Sequence, residues 1–384
     1  MRTVLLVLEG IELSTGEPLP SPHPYGPEVW QLEPGSLRDL ELPVLCSLGL
    51  GEIIKGRVFD PPARRCSGSY GRVRRQSSDE TMLGCLWELA GVINHEPFAS
   101  CHPAIPEALL AATAEETGIA FLGGGQLSLE KAVEEYGEVH LKTGRPIAFS
   151  SDGSTMEIAV HQSLFSLASL AQLCRTARRH GDEVRLANLV GHLLDGPDGA
   201  WTEAAPPHAF PLVPPKTILN ALSERGLHVE GIGTLSQAFA QSGMTTPLPT
   251  ENAQQTLETI NERWERLDRG LLFANLSLVC PSAPQLSRAP SFLESVDDWL
   301  SEFLEETESD DLVIISGTTP SGQGEAPVLL SYDGRTGPLG IRSTFADVAA
   351  TLAEFFNLKG HERNRWQVGT PLISFHRHPG SLIP

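Results

Sequence analysis

The stretch Asp310-Asp311-Leu312-Val313-Ile314-Ile315-Ser316-Gly317-Thr318-Thr319-Pro320 reads as a buried parallel strand. Four apolar residues, mostly β-branched, follow an acidic turn and run into a Gly-Thr-Thr-Pro exit. A strand that is apolar on both faces needs cover on both, which points to a parallel sheet between layers of helices. Such sheets bind their ligands beyond the carboxyl ends of the strands. Thr318 and Thr319 therefore stand where site chemistry is expected, yet hard divalent cations want carboxylate oxygen, supplemented by imidazole.

Upstream of this strand the pattern alternates: helix 217–225, strand 228–233, helix 253–267, strand 270–276 and helix 290–307. Repeated strand-helix order predicts a doubly wound α/β core. Its first strand is Val4-Leu5-Leu6-Val7-Leu8-Glu9, followed by a Pro- and Gly-rich loop over 18–34. Composition breaks at 94–106 and 206–215 bracket an insert. Within it, helix-like stretches 105–117 and 164–180 alternate with apolar strands 145–150 and 183–190, the pattern of an α/β cap. The predicted division is core 1–97, cap 98–213 and core 214–384, with the crevice between them the default ligand site.

With 384 residues and 40% hydrophobic content the chain can bury a sizeable core. A formal charge of −20 leaves little attraction for nucleic acid, anionic membrane or a sugar phosphate. The apolar run after Arg2 reaches Glu9 too soon for a signal peptide or a membrane span, so the expected location is the cytoplasm. Six scattered cysteines without a Cys-x-x-Cys pair read as reduced thiols in the core. The acidic run 302–311 reads as a solvated helix end, Gly123-Gly124-Gly125 as a flexible turn, 66–70 as a loop and His376-Arg377-His378 as a solvated tail.

Motifs in the same order over nearly the whole chain resemble the phosphopentomutases of the alkaline-phosphatase-like superfamily. They are Val4 to Glu9, Leu42-Pro43-Val44-Leu45 with Leu48-Gly49-Leu50, and Asp79-Glu80-Thr81-Met82-Leu83-Gly84-Cys85-Leu86-Trp87-Glu88-Leu89-Ala90-Gly91. Further along stand Gly137-Glu138-Val139-His140-Leu141-Lys142-Thr143-Gly144-Arg145-Pro146-Ile147, Ser150-Ser151-Asp152-Gly153-Ser154, and Leu339-Gly340-Ile341-Arg342-Ser343-Thr344-Phe345-Ala346-Asp347-Val348. The resemblance implies an alkaline-phosphatase-like core with an inserted cap, and a phosphoryl transfer that needs a hydroxyl nucleophile, two manganese ions and cationic phosphate contacts.

Carried over residue by residue, much of that set is missing. Thr81 takes the position of the phosphorylated threonine, with Glu80 in place of an aspartate, although Thr81 is also an ordinary helix N-cap. Of the metal positions only Glu9 keeps a carboxylate. The others fall on Cys280, Gln285, Thr318 and Thr319, and 323–326 holds no histidine. The expected arginines fall on or near Ala187, Glu203 and Pro207, the expected lysine on Thr234, and the cap aspartate on Gly153, with Asp152 beside it. The crevice residues are then Glu9, Asp152, Ser154 and His208.

This pattern implies a pseudoenzyme with a binding, structural or regulatory role, needing no cofactor. The alternative is an active enzyme with an altered, manganese-dependent site that interconverts ribose 1-phosphate and ribose 5-phosphate or acts on a related ligand. The expected partner is an unidentified protein in a homo- or hetero-oligomer, with neither nucleic acid nor membrane involved.

Overall fold

The computed structural model describes residues 1–13, 30–32, 40–59, 65–79, 81–197, 200–277, 289–319, 324–358 and 369–375. They form two compact units, one built by Glu96–Val213 and the other by the described residues of Met1–Pro18, Pro27–His95 and Pro214–Pro384.

In the first unit five parallel strands lie in the order Thr246–Leu248, His228–Ile232, Gly270–Ser277, Arg2–Glu9 and Leu312–Gly317. Helices Ile218–Glu224, Ala253–Trp264 and Ala289–Glu305 fall between them along the chain, as the alternation requires. Side chains of Arg2–Glu9 alternate in direction. Val4, Leu6 and Leu8 join a core with Ile260, Trp264 and Val296, while Leu5 and Val7 are equally buried on the other face.

The strand is pinned at its start. Arg2 donates from its backbone N–H and its guanidinium to Asp311, at 3.0 and 2.5 Å, and lies 4.3 Å over the Trp264 ring. This clamp sets the register in which Thr3 faces Leu312 and Leu8 faces Gly317.

Beyond Leu312–Gly317 the sheet turns antiparallel. Glu325–Ser331 pairs with that strand and with Ser69–Arg74, which in turn pairs parallel with Gly337–Arg342. The loop expected at 66–70 is therefore half wrong, because Ser69 and Tyr70 open a strand. Its polar sequence hid a segment buried by pairing on both sides. Tyr70 is fully buried, and Gly49 makes room for it: at φ +115°, a Cβ there would lie 2.3 Å from the Tyr70 ring.

The second unit holds a six-stranded sheet in the order His208–Ala209, Asn188–Asp195, Thr155–His161, Ile147–Ser150 and Leu122–Gln126, with Thr202–Glu203 also paired to Asn188–Asp195. Met156, Ile158 and Val160 pack with Leu109, Leu170 and Leu173 of helices Glu107–Thr117 and Leu167–Glu183. Phe149 and Ala159 pack with Ala132 and Val133 of helix Leu129–Thr143.

Two expectations are corrected here. Glu183 closes a helix, the chain reverses at Arg185 with φ 57°, and the strand starts only at Asn188. Gly123-Gly124-Gly125 is strand rather than turn, irregular between Gly123 and Gln126. A Cβ on Gly123 would meet the Ala148 carbonyl at 2.7 Å, so the glycine permits close pairing.

Candidate functional site

The parallel strands of the first unit bring a polar set to their carboxyl ends. Glu9 and Ser277 are register partners. Buried Asn275 donates through Nδ2 to Glu9 Oε1 at 2.6 Å and to Thr234 Oγ1 at 2.7 Å, while its Oδ1 accepts the Thr234 N–H at 2.9 Å. Burial pushes the Glu9 carboxyl above its usual range, and hydrogen bonds from Asn275 and Ser277 only partly offset this.

Thr318 Oγ1 accepts the Gly10 N–H at 2.9 Å, and its own N–H donates to the Ile11 carbonyl at 3.0 Å. The threonine at the strand exit thus ties two strands together. Thr319 is fully buried, with an Oγ1 that has no partner among the described residues. Its carbonyl accepts from Arg75 Nη1 at 3.3 Å.

Thr81 is the N-cap of helix Met82–Leu89. Its Oγ1 accepts the Gly84 N–H at 3.1 Å and donates to Asp79 Oδ1 at 2.7 Å. Asp79 also accepts the Thr81 N–H at 3.2 Å, Asn94 Nδ2 at 2.9 Å and the Arg75 guanidinium. Glu88 is wholly buried and accepts from the backbones of Gln76, Ser77 and Phe345 and from Thr344 Oγ1 at 2.7 Å. Cys85 sits in a buried site that pushes its thiol up to about 12, so it stays a neutral core thiol at physiological pH. Glu80 lies outside the described residues.

A pair of divalent ions would need several carboxylates or imidazoles converging on one place. Among the described residues no group of three or more His, Cys, Asp or Glu is placed to hold a metal. Cys280, Gln285 and the 376–378 tail lie outside the described residues, but segments 278–288 and 320–323, which follow two of the central strands, contain no Asp, Glu or His. Among the described residues, what stands at these strand ends is Glu9, a carboxylate of raised pKa bonded to an amide, beside neutral hydroxyls, with Asp79 already paired to Arg75. These residues do not fit a manganese pair.

The other expected site residues lie in the second unit. Asp152 folds back on its own turn, accepting from the N–H groups of Ser154 and Thr155 at 2.7 Å each and from Thr155 Oγ1 at 2.9 Å. That is the way aspartate closes a turn. His208 is exposed on the edge strand, its ring 4.7 Å from Phe210.

Glu203 is not a bare negative charge. It accepts from His192 Nδ1 at 2.7 Å, and His192 Nε2 lies 3.0 Å from Glu157 Oε2. Burial alone would lower the His192 pKa, but these two carboxylates outweigh it and the net shift is upward. Sequence reading missed His192, Asn275 and Arg75. A polar residue at an inward position of an apolar strand was the available signal for the first two.

The first unit is thus of the α/β class, with a polar set at the carboxyl ends of its central parallel strands, the end at which such sheets bind ligands. No protein-family model matches the chain. Curated relatives do: phosphopentomutases of Carboxydothermus hydrogenoformans (33% identical over 383 residues, 93% of this chain and 96% of the relative), Syntrophotalea carbinolica (31% over 377 residues, 93% and 95%) and Desulfitobacterium hafniense (30% over 379 residues, 92% and 95%). The chain belongs to the phosphopentomutase family. Among solved structures, a Pyrococcus horikoshii protein matches 92% of this chain and 97% of its own at 12% identity and a TM-score of 0.44. Among the described residues no helix is long and apolar enough to cross a membrane.

Proposed function

We propose that this phosphopentomutase-family protein has lost metal-dependent phosphoryl transfer and acts in the cytoplasm as a binding, structural or regulatory protein through a protein partner. One observation carries the reading: the polar groups at the strand ends are bonded to one another instead of converging on a place for cations. Asn275 bridges Glu9 and Thr234, and Thr318 holds the Gly10 N–H. Without metal or a basic cluster, nothing in this set neutralises a transferring phosphoryl group. Fold does not carry function with it, so family membership and loss of turnover are compatible.

The second reading is an active enzyme with an altered site that interconverts ribose 1-phosphate and ribose 5-phosphate, with manganese. It is favoured by the activity in the relatives' name. The test is elemental analysis of the purified protein together with an interconversion assay in added manganese. The first reading expects no stoichiometric metal and no turnover; bound metal with turnover abolished by Thr81→Ala replaces it with the second.

A further inference from the structure

Arg75 follows the strand Ser69–Arg74, and its side chain is 0% exposed, beside an Asp79 side chain at 1%. A guanidinium keeps its charge in any protein environment, so its burial demands a counter-charge and acceptor oxygens. Both are present. One arm bonds to Asp79 and the other donates to the Thr319 carbonyl at 3.3 Å. The pair therefore fills the space between the exit of strand Leu312–Gly317 and the start of helix Met82–Leu89. Gly84 leaves that space open, since a Cβ there would lie 2.0 Å from Asp79 Oδ1 and 2.3 Å from Arg75 Nη2.

An aspartate carboxylate and a main-chain carbonyl are the oxygens that a hard divalent ion takes. Here a side-chain cation takes them. We propose that Arg75 is the resident cation of this region: it neutralises Asp79, draws in the Thr319 carbonyl, and makes this end of the sheet independent of metal. The hydroxyl of Thr81, bonded to the same Asp79, is thereby held as a helix cap. The inference deepens the reading of lost metal-dependent transfer and rests on it for its meaning, although its own test does not read activity.

The test is thermal unfolding of the full chain after chelation, with and without millimolar manganese. The wild-type melting temperature is expected to be the same in both. Arg75→Gln leaves Asp79 buried without a counter-charge and should lower it by about 5–10 °C, regardless of manganese. Arg75→Gln with Asp79→Asn should recover more than half of that loss. If Arg75→Gln does not fold, Arg75→Lys, which keeps the charge but loses the fork geometry, should show a smaller loss that also ignores manganese.

A wild-type melting temperature that rises with manganese overturns the proposal, as does an Arg75→Gln or Arg75→Lys protein as stable as the parent. The two readings separate cleanly. Turnover with manganese ends the proposed function, whereas an inactive protein whose Arg75→Gln and Arg75→Lys variants are as stable as the parent ends the role of Arg75 alone.

Discussion

Thr81 uses both capacities of its hydroxyl, accepting from Gly84 and donating to Asp79. A hydroxyl so held is a cap before it is a nucleophile. Thr81→Ala is expected to destabilise the chain by about 1 kcal/mol, and Thr81→Ser by only a few tenths, with or without manganese. Urea unfolding measures both; an alanine variant as stable as the parent would remove the capping role. That Thr81 could be a cap was legible in the sequence, because a cap bonds three residues ahead. Arg75 was not, because the carbonyl it holds is 244 residues away. A charged residue after a strand reads as solvated until the chain that returns over it is known. Asn275 was signalled by its place in an otherwise apolar strand, but its partners Glu9 and Thr234 are 266 and 41 residues away, so its role was not.

At the level of elements, the same limit separates what was read from what was missed. Strands apolar on both faces, such as Leu312–Gly317 and Gly270–Ser277, announce themselves, whereas Ser69–Arg74 is built by pairing with Glu325–Ser331. In the second unit the strands are further joined by a polar chain. Ser151 donates from N–H and Oγ to Glu157, which meets His192, which meets Glu203 on Thr202–Glu203. The groups facing His192 are Glu157 and Glu203 on two of the three neighbouring strands and the Phe149 ring, 6.0 Å away, on Ile147–Ser150.

Both ring nitrogens donate at once only when the imidazole is charged, in keeping with its raised pKa. Since the folded value stands above the unfolded one of about 6.5, the clasp is fully stabilising below the unfolded value and is lost as pH rises through the folded one. His192→Gln should therefore be less stable than the parent at pH 6, by roughly 1–3 kcal/mol, and the gap should narrow by pH 9. Urea midpoints at the two pH values decide it. A gap of the same size at both would mean that His192 acts through packing alone.

At the scale of the whole molecule, the two units differ in how they are drawn from the chain. The first is assembled from separated segments, so that Arg2–Glu9 finds its partners in Gly270–Ser277 and Leu312–Gly317. The second, among the described residues, is one run, Glu96–Val213, with its own sheet and with a hydrophobic cluster on each face. Its ends are tied inward. Near the start, Ala99 N–H donates to the Arg185 carbonyl at 3.1 Å and Cys101 N–H to the Gly153 carbonyl at 2.8 Å; near the finish, Phe210 N–H donates to Leu189 at 2.7 Å and Leu212 N–H to Ala187 at 3.0 Å. A segment whose backbone donors at both ends are satisfied internally, and whose apolar faces are covered by its own helices, has the requirements of an independent folding unit. The fragment 96–213 should accordingly fold by itself. Trp201, the single tryptophan of that run, reports on it, since its ring centroid lies 4.9 Å from that of His161 and 5.7 Å from that of His140. Cooperative urea unfolding followed by Trp201 fluorescence is the expected result; a gradual change in emission would show that the fragment needs the rest of the chain to complete its core.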